Sequence, residues 1–204
     1  MKNLVWIDSV KCLCMLFVYW LHVGTFSAHS LSFPIAYGPF FVNAFFFVSG
    51  YLLFRKFKSD NSLDAKLRTL KNIFFKICIP SMIFSTIDYI PKNIVNGVPM
   101  SVGGFAYDVM LRGTNWFTCA LAVAELLLVV CFCFSKKVST WRVLAASIVF
   151  FVVGLLLMIN DVRILGNEYL PWFYKSGLMA TLFLALGGGI LRYGKIYRQV
   201  SVQI

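Results

Sequence analysis

Apolar residues fill this chain in long blocks, and polar residues collect in the short stretches between them. Blocks 4–24, 39–54, 73–90, 116–134, 143–159 and 172–191 each come close to the roughly 20 residues that cross a bilayer as an α-helix. Between the second and third blocks, residues 59–72 (SDNSLDAKLRTLKN) switch to helical periodicity. Leu63, Leu67 and Leu70 fall on one face, and Lys66, Arg68 and Lys71 on the other. With Asp60, Asn61 or Ser62 as the cap, this pattern predicts a short helix lying on the membrane surface. Residues 91–115 are rich in Gly and Pro and predict an irregular loop. No solenoid-type repeat is visible. The expectation is therefore one domain over residues 1–204: an all-α, polytopic membrane helical bundle of about six transmembrane helices.

Composition strengthens that reading. Of 204 residues, 60% are hydrophobic and 13% charged, more apolar surface than a water-soluble domain of this size needs. The net charge of +11 raises nucleic-acid binding as a function class, but the placement of the charges removes it. Lys2, Lys11, Arg55, Lys56, Lys58, Lys66, Arg68, Lys71, Lys76, Lys136, Lys137, Arg142, Arg192, Lys195 and Arg198 all fall on one side of a six-span arrangement. They are 15 of the 19 basic residues. The positive-inside rule puts that side, with both termini, in the cytoplasm, and the expected location is a bacterial-type inner membrane. The partners expected are then the lipid bilayer and not nucleic acid.

The first block begins Met1-Lys2 and has the look of a signal peptide. However, Asp8 and Lys11 interrupt its apolar core and no small-residue cleavage pattern follows before Phe33, so it reads as a retained helix. All six cysteines lie in apolar stretches. The two C-x-C pairs point about 200° apart on a helix and cannot share a metal, so no metal site is expected.

Candidate chemistry concentrates in DSVKCLCMLFVYWLH, residues 8–22. Asp8 and Lys11 are spaced to pair. Lys11 and His22 are separated by nearly three whole turns, which puts them about 20° apart around the axis and about 16 Å apart along it. One helical face thus carries a cation near one membrane surface and an ionisable ring deeper in. Such groups cost roughly 2.5–3.5 kcal/mol at a bilayer centre and need partners or water. Glu125 is a second intramembrane ionisable group, expected to face the bundle interior and to pair with His22 or Lys11. Ser49-Gly50 forms a small-residue notch for close helix packing. Gly187-Gly188-Gly189 lacks the strand and the Lys-Ser/Thr ending of a phosphate loop, so it reads as a packing surface or a kink. Trp116 stands at a span boundary, as an interfacial anchor or a sugar-stacking ring. His29 lies in the first outer loop.

The basic residue, ten intervening residues and His of IDSVKCLCMLFVYWLHV resemble the opening helix of the acyltransferase 3 family of membrane O-acyltransferases. Here Lys11 stands where the family more often has Arg. FFFVSGYL resembles the family's second helix. FFKICIPSM, with Lys76 ahead of Pro80, is similar to its basic segment before a proline, though the family shows a denser Arg cluster there. NWFTCAL resembles a Trp-Phe-Leu element with Thr118 for Leu, and YLPWFYKSGLMATLFLALGGGIL a later aromatic-to-glycine helix.

The resemblance implies transfer of an acyl group, expected to be acetyl, from acetyl-CoA or another acyl-CoA to a hydroxyl of a cell-envelope saccharide. It implies His22 as the catalytic base and Lys11 and Lys76 as coenzyme-binding cations. Full members have about ten spans, so the chain reads as lacking its C-terminal helices. That leaves two alternatives: a non-catalytic remnant packing against a membrane-protein partner or oligomer, and a transporter-like protein. The second would show related halves, and none is visible.

Overall fold

The computed structural model describes residues 5–26, 32–113, 115–134, 140–164 and 171–200, with the backbone alone for 21–26, 32–39, 140 and 191–200. Among the described residues the fold is helical, with no strand. Helix α1 (Val5–Phe26) is followed by α2 (Ser32–Ser59). Helix α3 (Leu63–Ile73) leads through a π-helical turn, Phe74–Cys78, into α4 (Ile79–Asn96). The short α5 (Val102–Ala106) continues as a second π turn, Tyr107–Arg112, before α6 (Trp116–Cys133), α7 (Thr140–Ile159) and α8 (Tyr174–Val200). Four segments, Phe40–Ser59, Leu63–Asn96, Trp116–Cys133 and Trp141–Ile159, are long and apolar enough to cross a membrane. Helices α1 and α8, at 22 and 27 residues, have the length of the other two expected spans.

The clearest mark of a lipid solvent is α4, whose amphipathicity is inverted. Ser81, Ser85, Tyr89 and Asn93 follow one another every four residues and are buried. Ile83, Phe84, Ile87, Ile90 and Ile94 are exposed on the opposite face. In water that arrangement would be backwards. In a bilayer the apolar side faces the tails and the polar side turns inward, where the Ser81 and Thr118 hydroxyls meet at 2.9 Å.

Helix α8 is the hub, packing on α2, α6 and α7. Small residues set each approach. A Cβ at Gly50 would collide with the Leu184 carbonyl, and one at Gly187 with the Phe47 carbonyl, so α2 and α8 cross backbone to backbone. Gly188 receives the Phe54 ring, while Gly189 faces open space. On the other flanks Gly177 lies against Val123 of α6, and Gly154 of α7 lies against Leu178 and the Lys175 carbonyl. Close backbone approach of this kind replaces the hydrophobic driving force that lipid cannot supply between helices. Phe54, Phe57, Leu128, Phe132 and Leu184 fill the core beside the crossing. Phe132 meets Phe54 edge-on at 4.9 Å and Phe57 at 4.7 Å.

Two expectations about element boundaries are corrected. The surface helix expected at 59–72 is the first part of a continuous helix, Leu63–Asn96. No Gly or Pro interrupts residues 63–79, and the widened turn, closed by Ile79 N–H to the Phe74 carbonyl, absorbs Pro80 just beyond it. Its start is as expected: Ser62 Oγ accepts Ala65 N–H at 3.1 Å, and Asp60 Oδ1 accepts Ser62 N–H at 3.0 Å. The stretch 91–115 is more ordered than its Gly and Pro content predicts. Pro91 lies inside α4, which ends at Gly97 in the left-handed region (φ 63), with Val98 N–H reaching back to the Asn93 carbonyl at 3.0 Å. Ser101 then caps α5 by accepting Gly104 N–H at 3.0 Å.

Candidate functional site

Helix α1 lies antiparallel on α2, with Trp6 edge-on to Tyr51 at 5.1 Å and Phe17 stacked on Phe41 at 3.8 Å. Ile7 and Cys14 are its buried contacts. Lys11 stands beside this seam and is exposed, as is Asp8. No ion pair joins the two, contrary to the pairing their spacing allows. The helix runs unbroken from Val5 to Phe26, so the register linking positions 11 and 22 is kept in the backbone. The side chain of His22 lies outside the described residues, as does His29 altogether.

The intramembrane acid meets a partner other than Lys11, while the expected pairing with His22 lies outside the described side chains. Glu125, partly buried on α6, accepts a short hydrogen bond from Ser49 Oγ on α2, not from Lys11. Seven residues on, Lys56 projects from the same face of α2, because seven residues are close to two turns. Its ammonium donates to Thr69 Oγ1 on α3 at 2.7 Å, and it lies within electrostatic range of Glu125, Arg68 and Lys76. The Ser49 to Lys56 spacing was legible in the sequence. What was missing was the neighbour, since nothing local says that α6 and α3 meet this face.

Lys76 is exposed on the π turn between α3 and α4. It shares one end of the bundle with Lys56 and Arg68. Helix α1 packs on α2, and no direct contact joins Lys11 to Lys76. Lys66 does not face outward with Arg68 and Lys71: it is buried, and Leu63 and Leu67 take the exposed side instead. Outside the spans, Asp60 anchors this end. The Ser62 hydroxyl and N–H, and then Arg68 at 3.3 Å, hold its carboxyl below the usual range. The six cysteines are free thiols, with Cys12 and Cys133 exposed rather than buried, and among the described residues no cluster fit for a metal ion forms.

At the opposite end, the start of α8 is bolted to the π turn after α5. Trp172 donates its indole N–H to the Met110 carbonyl at 2.6 Å and its backbone N–H to the Leu111 carbonyl at 3.1 Å. Trp172 and Phe173 both adopt left-handed backbone (φ 47 and 52), which costs roughly 1–2 kcal/mol per non-glycine residue. Trp116, 45% exposed, caps the same end on α6.

A family model described as an acyltransferase domain, acyltransferase 3, matches residues 4–203, nearly the whole chain. The chain belongs to the acyltransferase 3 family. No curated protein and no solved structure matches it. For a member of the acyltransferase 3 family the inverted α4, the glycine-mediated crossings and the four apolar spans have one explanation: this is a membrane protein of acyltransferase type.

Proposed function

We propose that this acyltransferase 3 family protein moves an acyl group, acetyl in the simplest case, from a coenzyme A thioester to a hydroxyl of a cell-envelope carbohydrate. The observation that carries the reading is the family match over residues 4–203, which includes both Lys11 and His22 on the one unbroken helix α1. The grouping of Lys76 with Lys56 and Arg68 at one end of the bundle supports a place for the coenzyme's phosphates there.

In this mechanism Lys11 and Lys76 hold the donor by charge, and the pantetheine arm runs along α1 toward His22. The neutral imidazole removes the proton from the sugar hydroxyl as its oxygen attacks the thioester carbonyl carbon. The C–S bond then breaks, and the imidazolium returns the proton to the departing thiolate. General-base assistance of this kind is worth about 10²–10⁴-fold in rate.

The test is transfer of labelled acetyl from acetyl-CoA into envelope glycans, in cells expressing each variant at matched membrane levels. His22→Ala is expected to abolish transfer with coenzyme binding retained. Lys11→Ala is expected to weaken coenzyme binding, and Lys11→Arg to preserve it because Arg supplies the same cation. Transfer that survives His22→Ala unchanged would make the imidazole structural and overturn the assignment.

A further inference from the structure

Among the described residues, the first turn of α8 carries a positive charge that no hydrogen bond or ion pair meets. Lys175, its second residue, is only 7% exposed, and among the described residues no hydrogen bond or ion pair reaches its ammonium. The helix carries no acid in that turn, where an acid would be favourable and a cation is not. Tyr174 N–H bonds back to the Pro171 carbonyl and Gly177 N–H to that of Phe173, which among the described residues leaves the N–H groups of Lys175 and Ser176 as donors without a backbone acceptor. Side chains on a helix lean toward its N-terminus, so Lys175 leans to the same helix end as those two N–H groups.

Among the described residues, the neighbouring acids are each paired to another cation. Asp161, held low first by its hydrogen bond from Arg163 and also by the field of Lys175, is paired to Arg163 at 2.6 Å. Arg112 pairs with Asp108 at 3.6 Å. The left-handed pair Trp172 and Phe173 turns the chain into α8, and the Trp172 bonds to Met110 and Leu111 fix that helix end in place. Gly177 brings α6 close, with the Ala120 carbonyl 3.2 Å from where its Cβ would stand, and exposed Trp116 lies one turn above Ala120.

We propose that Lys175 and the free N–H groups of the first turn of α8 form an oxyanion-binding site for an acidic saccharide, its carboxylate or phosphate seated on the helix end and its ring beside Trp116. A helix N-terminus with an inward lysine suits a single oxyanion, and an adjacent exposed indole suits a sugar face better than a lipid tail junction. The charge recognition stands on the geometry alone. The saccharide, as acceptor, rests on the acyl-transfer reading above.

The test titrates the full chain in detergent micelles with glucuronate, glucose 6-phosphate, glucose and glycerol 3-phosphate, following tryptophan fluorescence and calorimetric heat. Glucuronate or glucose 6-phosphate is expected to bind, and glucose and glycerol 3-phosphate to bind at least about tenfold more weakly, since a charge-assisted contact and a sugar ring are both needed. Lys175→Met is expected to lose at least about tenfold and Lys175→Arg to stay within about threefold, with unfolding temperature and elution volume checking that each variant is folded. If Lys175→Met does not fold, the Lys175→Arg and Lys175→Gln pair carries the comparison. Glycerol 3-phosphate binding as tightly as the acidic sugars would assign the site to a lipid headgroup and overturn the saccharide. Binding insensitive to Lys175→Gln would overturn the site. Charge-dependent sugar binding in a chain that transfers no acetyl would leave this site standing and defeat the acyl-transfer reading instead.

Discussion

Ser49 and Glu125 meet across two helices in a solvent that offers neither a substitute, and this makes the pair asymmetric to mutation. Removing Ser49 alone strands the carboxyl beside α2, and Ser49→Ala is expected to cost about 1–3 kcal/mol. Replacing both, as Ser49→Ala with Glu125→Met, removes the stranded group and should recover most of that loss. Unfolding temperatures of the two single variants and the double variant, in one detergent, give the coupling directly. Strictly additive losses would mean that the pair contributes nothing beyond its separate members. A second residue-scale effect lies outside the spans, at Asp60. Its carboxyl is depressed by bonds to Ser62 and by Arg68, so the native state favours the ionised form. The stabilisation is complete above the unfolded carboxylate value of about 3.9 and is lost as pH falls through the lower folded one. The start of α3 should accordingly gain amide exchange on acidification below about pH 4, relative to exchange in Asp60→Asn, which lacks that titration. Equal pH profiles in the two proteins would remove Asp60 as the cause.

Among elements, the crossing of α2 and α8 is the least tolerant feature. Gly187→Ala drives a methyl into the Phe47 carbonyl, which only separation of the helices relieves, and a loss of about 1–3 kcal/mol is expected. Gly189→Ala, two residues on and facing open space, should be neutral or stabilising by up to about 1 kcal/mol, since alanine favours the helix. Thermal unfolding of both variants checks this, and similar losses at the two positions would contradict the packing described. The sequence showed that crossing in outline, because a Ser49-Gly50 notch and a Gly187-Gly188-Gly189 run in apolar helices have few other uses. It also placed the cap of α3 among Asp60, Asn61 and Ser62, of which Ser62 is the one used. It did not show that α3 flows into α4, because an amphipathic stretch and an apolar stretch read as separate elements until the turn joining them is seen. Nor did it show Lys66 buried: periodicity sorts residues onto faces, and only the neighbouring helix decides which face is inside. Lys175 was invisible for a related reason, since burial at a helix start depends on how the preceding turn docks on Met110 and Leu111.

At the scale of the whole molecule, the two ends of the bundle differ in charge economy. One end carries Lys56, Lys66, Arg68 and Lys76 with Asp60 and Asp64 as nearby acids, and the other sets Arg112 and Arg163 each against an aspartate, with Lys175 the cation left over. The more densely basic end is expected to be the one that stays in the cytoplasm, because cationic loops are retained there. On that argument Ser59, at the foot of α2, is expected on the cytoplasmic side, and Asn96, at the far end of α4, on the external side; both are exposed. The check replaces the six native cysteines by alanine and introduces one at Ser59 or at Asn96. A membrane-impermeant thiol reagent applied to intact cells should label Asn96→Cys at once and reach Ser59→Cys only after permeabilisation. The reverse pattern would invert the protein in the membrane. It would carry the Lys76 cluster away from the compartment that supplies acyl-CoA, and it would turn the Lys175 helix end toward the cytoplasm, where an envelope saccharide does not reach.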